Sequence, residues 1–431
     1  MERPNIDLTK YDETIVILQK ILDHRKARPT TKSDELYYEA LLDHFRTVRE
    51  TSEAGQPLVA HGVGIPIQVL IAMGVPNMQF DYIISATMSA ILGIHTDFYQ
   101  ACSRIGVRDE ICSANRMPLG AFAKGWLPRP SLVAWTSVSQ CDNMSKSAQL
   151  MAALYNVPGY FIDRPYQWNT KKGIDFMVRE MENFIHYLEE TLDRKMDWGK
   201  LKETISITVK QNEVIEEIHK LLATKPCPMT AGEASKSSYM RWMCEGTETS
   251  LNYYEILLQE MKERVAQGKG AVKEEKFRII SLNTPPGRQR ELFDWMEEER
   301  GAVLVAEPYL FQFGNMEVDP EKPLEALGAL YYNEPYYRFY GPLSEALDMI
   351  VEDALASHVD AGIDWFNSKC RFGPSAARSI KETMEEKVGV PVLVTDADIL
   401  DFSTSTMERT KRFIEEFIDM LEAQKKSRAK R

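Results

Sequence analysis

The 431-residue sequence lacks most of the short patterns that announce an enzyme class. It has no G-x-x-x-x-G-K-[ST] loop to cradle a nucleotide phosphate and no G-x-G-x-x-G following a strand. Any use of ATP must therefore lie with a partner. There is no H-E-x-x-H, no G-x-S-x-G elbow, and none of the seven histidines forms a close pair of metal-ligand spacing. The six cysteines contain no C-x-x-C pair, which excludes a zinc ribbon and a thioredoxin-like dithiol, and the closely spaced ferredoxin run is missing too. Positive charge is in deficit, with 52 Lys and Arg against 64 Asp and Glu, and the formal net charge of −12 argues against a broad nucleic-acid surface. The one basic cluster, KKSRAKR at 425–431, reads as the solvated end of a helix. No apolar run approaches the roughly 18 residues that span a bilayer, and the first residues lack the apolar stretch of a signal peptide. The expectation is a cytoplasmic protein without membrane contact.

What is present is an ordinary globular composition, 44% hydrophobic and 27% charged, in a chain long enough for two or three domains. Helical periodicity marks about Tyr11 to Ser52. From Pro57 short apolar runs punctuated by Gly and Pro suggest strands at Leu58–Ala60, Phe80–Ile84, Leu132–Thr136 and Tyr160–Ile162, alternating with helices, which implies parallel βαβ units. About Lys171 to Ala266 is helical, closed by Gly268 and Gly270. Strand texture returns at Phe277–Leu282, Ala302–Ala306, Ile363–Phe366 and Pro391–Thr395, and a last helix covers about Met407 to Gln424. The fold class is α/β: N-terminal helices at 1–55, an α/β domain at 56–170, a helical segment at 171–270 and a second α/β domain at 271–431.

Cys141 and Cys370 each sit just beyond a buried strand, at the carboxyl edge where open α/β sheets bind ligands. One lies in each α/β domain, so they could meet across a cleft. Cys112 lies in a polar stretch, RDEICSANRMPLG, that looks like the start of a helix. Cys102, Cys227 and Cys244 fit a structural role, since free cysteine is commonly buried. Spacing alone does not establish a metal site.

Taken in order, several landmarks resemble the 2-hydroxyacyl-CoA dehydratases and ATP-dependent benzoyl-CoA reductases. They are HGVGIP (His61 to Pro66), C-S-x-x-R (Cys112 to Arg116), C-D (Cys141–Asp142), PGYFIDRPY from Pro158, YYEILLQEMKERVAQGKG (Tyr253 to Gly270), KEEKFRI from Lys273 and NSKC (Asn367 to Cys370). The resemblance spans about Gln56 to Glu422, and the length with the extended helical segment favours the larger of that family's two related subunits. It implies two Rossmann-like parallel-sheet domains plus a helical segment, with a [4Fe–4S] cluster held by Cys112, Cys141 and Cys370. It also implies a related smaller iron–sulfur subunit, forming a heterodimer, and a separate ATP-hydrolysing iron–sulfur activator. The substrate would be an acyl-CoA whose thioester carbonyl receives a low-potential electron under anaerobic conditions.

Large dehydratase subunits tend to carry a serine in the turn that reads His61–Gly64 here, followed by an acid. The serine is absent and the acid is present as Asp81. This favours an aromatic acyl-CoA reductase (an oxidoreductase) over the alternative, a 2-hydroxyacyl-CoA dehydratase (a lyase) acting through a ketyl radical. A non-catalytic electron-relay subunit and a cofactor-free structural subunit are the other readings. His61 is a candidate proton donor or a histidine satisfied by backbone at a strand end. Asp81 is a candidate acid or a helix-cap carboxylate. The aromatic loop LYYNEPYYRFYGP, Leu330 to Pro342, is a candidate pocket wall for a flat acyl group or a packed interdomain surface.

Overall fold

Two short-loop βαβ series each fold into a four-stranded, wholly parallel sheet with the same strand order. The first sheet comprises β1 (Val59–His61), β2 (Asn77–Gln79), β3 (Leu132–Thr136) and β4 (Gly159–Ile162), ordered β2-β1-β3-β4. The second comprises β5 (Phe277–Ser281), β6 (Ala302–Ala306), β7 (Ala361–Phe366) and β8 (Val392–Asp396), ordered β6-β5-β7-β8. The computed structural model describes residues 3–28, 30–136, 141–166, 170–286, 290–313, 318–400 and 404–429. Every residue of β1, β3, β5 and β6 is buried, as expected for parallel strands covered by helices on both faces. The sheets are two Rossmann-like units, and the chain reverses direction in each between its first and third strands. That reversal opens a crevice at the carboxyl ends of β1 and β3, and of β5 and β7.

Helices cover these sheets. Thr9–Lys26 and Lys32–Glu53 form the N-terminal pair. Between the sheets run Lys171–Leu192, Trp198–Leu222, Ala231–Cys244 and Glu248–Ala266. Each of these four starts on a side chain that accepts a backbone N–H of its first turn: Thr170, Asp197, Thr230 and Thr247. Thr230 does so within a capping box with Glu233. The terminal helix, Thr404–Ala429, packs Ile414, Phe417, Ile418 and Leu421 against the second sheet. No helix among the described residues is long and apolar enough to cross a membrane.

One expected strand is not a strand. Phe80–Ile84 lies inside a π-helical turn, Phe80–Ser85, and the pairing strand is the preceding Asn77–Gln79. All six residues of the turn are buried. A short apolar run buried on every side has no period to distinguish strand from helix. The polar Asn77 and Gln79 hide the true strand. Gln79 then caps the turn, its Oε1 accepting the Ile83 N–H at 2.9 Å.

Candidate active site

Cys112, Cys141 and Cys370, far apart in sequence, line one pocket between the two sheets. Each is brought there by a helix N-terminus. Cys112 is the N-cap of Ser113–Lys124 and Cys141 the N-cap of Asp142–Tyr155, whereas Cys370 lies two residues before Phe372–Thr383. Cys141 follows β3 and Cys370 follows β7, so both occupy the third-strand crevice of their sheets. Residues 137–140, between β3 and Cys141, lie outside the described residues.

Side chains staple the three segments together. Asn367 donates through Nδ2 to Cys112 Sγ at 3.4 Å, while its carbonyl accepts the Cys370 N–H at 2.8 Å. Asp398, just past β8, accepts from the Ser113 hydroxyl and pairs with Lys369 Nζ at 3.3 Å. Asp142 pairs with Arg371 at 3.0 Å and Lys146 at 2.9 Å, joining the Cys141 helix to the Cys370 loop. Although partial burial opposes it, those two cations hold the Asp142 carboxyl below its ordinary value. Asn115 Nδ2 lies 4.0 Å from Cys141 Sγ. The residues flanking each cysteine in CSANR, CD and NSKC thus fix the cysteines relative to one another. Arg116 faces away, donating to the Tyr99 carbonyl at 3.0 Å and pairing with Asp109 at 2.6 Å.

The thiols are acceptors of N–H bonds, from the Ala114 backbone to Cys112 and the Met144 backbone to Cys141. Burial nonetheless pushes Cys112 well above its ordinary value and Cys141 up to about 11, and each is raised further by its neighbouring thiols. In the bare protein these groups are thiols, and a bound cation would convert them to thiolates. Among the described residues no three His, Cys, Asp or Glu side chains close to the distances of a single metal ion. Cys102, Cys227 and Cys244 lie outside the pocket, and burial raises each to about 12.

Asp81 also lines the pocket. Its Oδ1 accepts from the Tyr82 N–H at 2.6 Å and from the Gln79 amide, and its Oδ2 accepts the Val63 N–H at 3.2 Å. Burial outweighs those bonds and pushes its carboxyl up to about 6. His61 is not among the pocket's lining residues. It ends β1 with 1% exposure, its Nδ1 donating to the Gly62 carbonyl at 2.8 Å and its Nε2 lying 3.0 Å from Asn77 Oδ1. Burial lowers its imidazole below the usual range in spite of these contacts. The structure therefore groups Asp81 with the three cysteines and leaves His61 in the wall behind.

The aromatic loop divides between the two roles expected of it. Tyr336 and Tyr340 line the pocket with Tyr82, Trp365 and Phe372, whereas Tyr331, Tyr332 and Tyr337 are packed inside. Tyr82, Phe372, Asn367 and Asp398 carry no motif signal of their own. Only NSKC hinted at Asn367, as the residue opening that landmark.

Residues 63–421 match the family described as 2-hydroxyglutaryl-CoA dehydratase, D-component. Among curated proteins, a subunit of the benzoyl-CoA reductase of Thauera aromatica is 24% identical over 354 residues, covering 76% of this chain and 80% of that protein.

Proposed function

The chain belongs to the 2-hydroxyglutaryl-CoA dehydratase D-component family, and from that premise we propose that it is the larger, [4Fe–4S]-bearing subunit of an anaerobic acyl-CoA enzyme. Reduction of an aromatic acyl-CoA is the favoured reaction. The observation that carries this reading is the convergence of Cys112, Cys141 and Cys370 on one pocket between the sheets. Three soft sulfur donors, with N–H groups directed at two of them and helix N-termini beside all three, fit a cluster that needs anionic thiolates. When bound, the cluster supplies one-electron transfer at low potential.

The chain's own residues do the rest. The rings of Tyr82, Tyr336, Tyr340, Trp365 and Phe372 form walls that suit a flat acyl group and keep water away from it. This observation, with the hydroxyl-free turn His61–Gly64, favours the reductase over the dehydratase. Burial lifts the Asp81 carboxyl to about 6, which brings it closer to the range in which a carboxyl can exchange a proton near neutrality. We place the proton on Oδ2, because that oxygen accepts one N–H whereas Oδ1 accepts two. His61 acts by fixing the turn whose Val63 N–H reaches Asp81. A related smaller subunit and an ATP-hydrolysing activator complete the system, since the chain has no nucleotide loop of its own.

The test is an anaerobic assay of the two-subunit complex with activator, ATP and reductant, offered benzoyl-CoA and several 2-hydroxyacyl-CoAs. Consumption of benzoyl-CoA is expected. Dehydration of a 2-hydroxyacyl-CoA with benzoyl-CoA untouched would reverse the preference between the two reactions. Inertness towards both would leave the relay reading in its place.

A further inference from the structure

A second and larger cavity runs from the N-terminal helices towards the cysteine pocket. Four residues line both spaces: Tyr82, Thr284, Tyr336 and Ile399. They form the partition between them. Tyr336 is hydrogen-bonded to Tyr82 and to Thr284, and the Thr284 hydroxyl lies 2.7 Å from that of Tyr340. Aromatic packing fixes this rim from behind. The Trp242 ring stands 5.1 Å from Tyr82 and 5.9 Å from Tyr336, and Tyr340 lies 4.7 Å from Tyr336 and 5.1 Å from Phe372. A belt of rings joined through their hydroxyls resists deformation more than any single side chain would.

The chemistry of the larger cavity says what it could hold. Among the described residues three cations line it, each paired with a carboxylate: Arg25 with Asp34 at 3.0 Å, Lys236 with the same Asp34, and Arg290 with Asp294 at 3.0 Å. Glu298 and Glu307 line it as well. Such a wall repels phosphates but accepts an uncharged, amide-bearing chain.

Building on the acyl-CoA reading above, we propose that Tyr82, Thr284, Tyr336 and Ile399 form an aperture through which the thioester is threaded. The acyl group lies beyond it among the cysteines, the pantetheine arm lies in the larger cavity with the phosphates outside, and the Tyr336 ring sets the width of acyl group admitted. Tyr336 is a specificity-determining residue on this account. Asp81 and the cysteines serve every acyl group that fits.

The test is equilibrium binding to the anaerobic two-subunit complex, with benzoyl-CoA and the bicyclic 2-naphthoyl-CoA as probes. Tyr336→Ala should shift the affinity ratio at least tenfold towards the wider probe, whereas Tyr336→Phe, which keeps the ring, should shift it less than threefold. Ala90→Trp places bulk on the wall of the larger cavity away from the four shared residues, at an exposed residue of the helix Ala86–Leu92. It should weaken both probes at least tenfold with the ratio unchanged, and it keeps the proposal open to refutation if Tyr336→Ala does not fold. A wild-type complex that binds both probes, with an unchanged ratio in Tyr336→Ala or undiminished binding in Ala90→Trp, would overturn the aperture and leave the acyl-CoA reading intact. A wild-type complex that binds neither probe would overturn both.

Discussion

Replacing Gly64 by alanine puts the architecture of the Asp81 turn to a quantitative test. Gly64 has a φ of +81°, and a Cβ there would lie 1.1 Å from the Tyr337 hydroxyl and 2.1 Å from its Cζ. Tyr337 is held in place by its neighbours. It is 2% exposed, its hydroxyl donates to the Val63 carbonyl at 3.0 Å, and the Arg164 guanidinium sits 3.4 Å above its ring. Left-handed backbone costs an L-residue about 1–2 kcal/mol, and forcing atoms into a packed core about 1–3 kcal/mol. Losing the Tyr337 hydrogen bond adds about 1 kcal/mol, so Gly64→Ala should cost about 3–6 kcal/mol. Gly93 supplies the control: its φ is +66°, but a Cβ there would meet nothing within 4 Å. Gly93→Ala should lose only the backbone contribution, about 1–2 kcal/mol. Guanidinium unfolding of both variants, followed by tryptophan fluorescence, measures the difference. Equal midpoints would refute the claim that Tyr337 closes over this turn.

Other consequences concern charge. Burial raises Asp81 from 3.8 to about 6, so between those values the folded chain binds more protons than the unfolded chain. Stability should therefore fall as pH rises through that window, by up to about 3 kcal/mol. Asp81→Asn should flatten this part of the pH–stability profile, and an unchanged slope would refute the burial argument. Arg278, 2% exposed, donates to the carbonyls of Leu222, Thr224 and Ser357 and pairs with buried Glu275 at 2.7 Å. Arg278→Met should cost about 3–5 kcal/mol in the same unfolding assay, because it strands Glu275 in the interior. A loss below about 1 kcal/mol would mean that Glu275 finds water instead.

Much of the fold is legible in the sequence because parallel strands buried on both faces are written as unbroken apolar runs. Leu132–Thr136 and Ala302–Ala306 have the bounds expected of them, and Val59–His61, Gly159–Ile162, Phe277–Ser281, Ala361–Phe366 and Val392–Asp396 differ by only one or two residues at an end. The exception at Phe80–Ser85 arises where burial is complete and periodicity carries no information. The site is legible only in part. Thiols at strand ends and helix starts stand out, and family resemblance singles out three of the six. That Asn367, Asp142 and Asp398 hold those three segments together is a property of the folded chain, because their partners lie up to 285 residues away. His61 stands out by residue type, yet the pairing of β1 with β2 sets its ring against Asn77, behind the pocket.

The central claim is that Cys112, Cys141 and Cys370 hold one [4Fe–4S] cluster, and iron content after anaerobic reconstitution tests it most directly. The wild-type chain should carry about four irons with a broad brown absorption. Alanine at Cys112, Cys141 or Cys370 should reduce iron to near background, and alanine at Cys102, Cys227 or Cys244 should leave it unchanged. Equal iron in Cys370→Ala and Cys227→Ala would contradict the account.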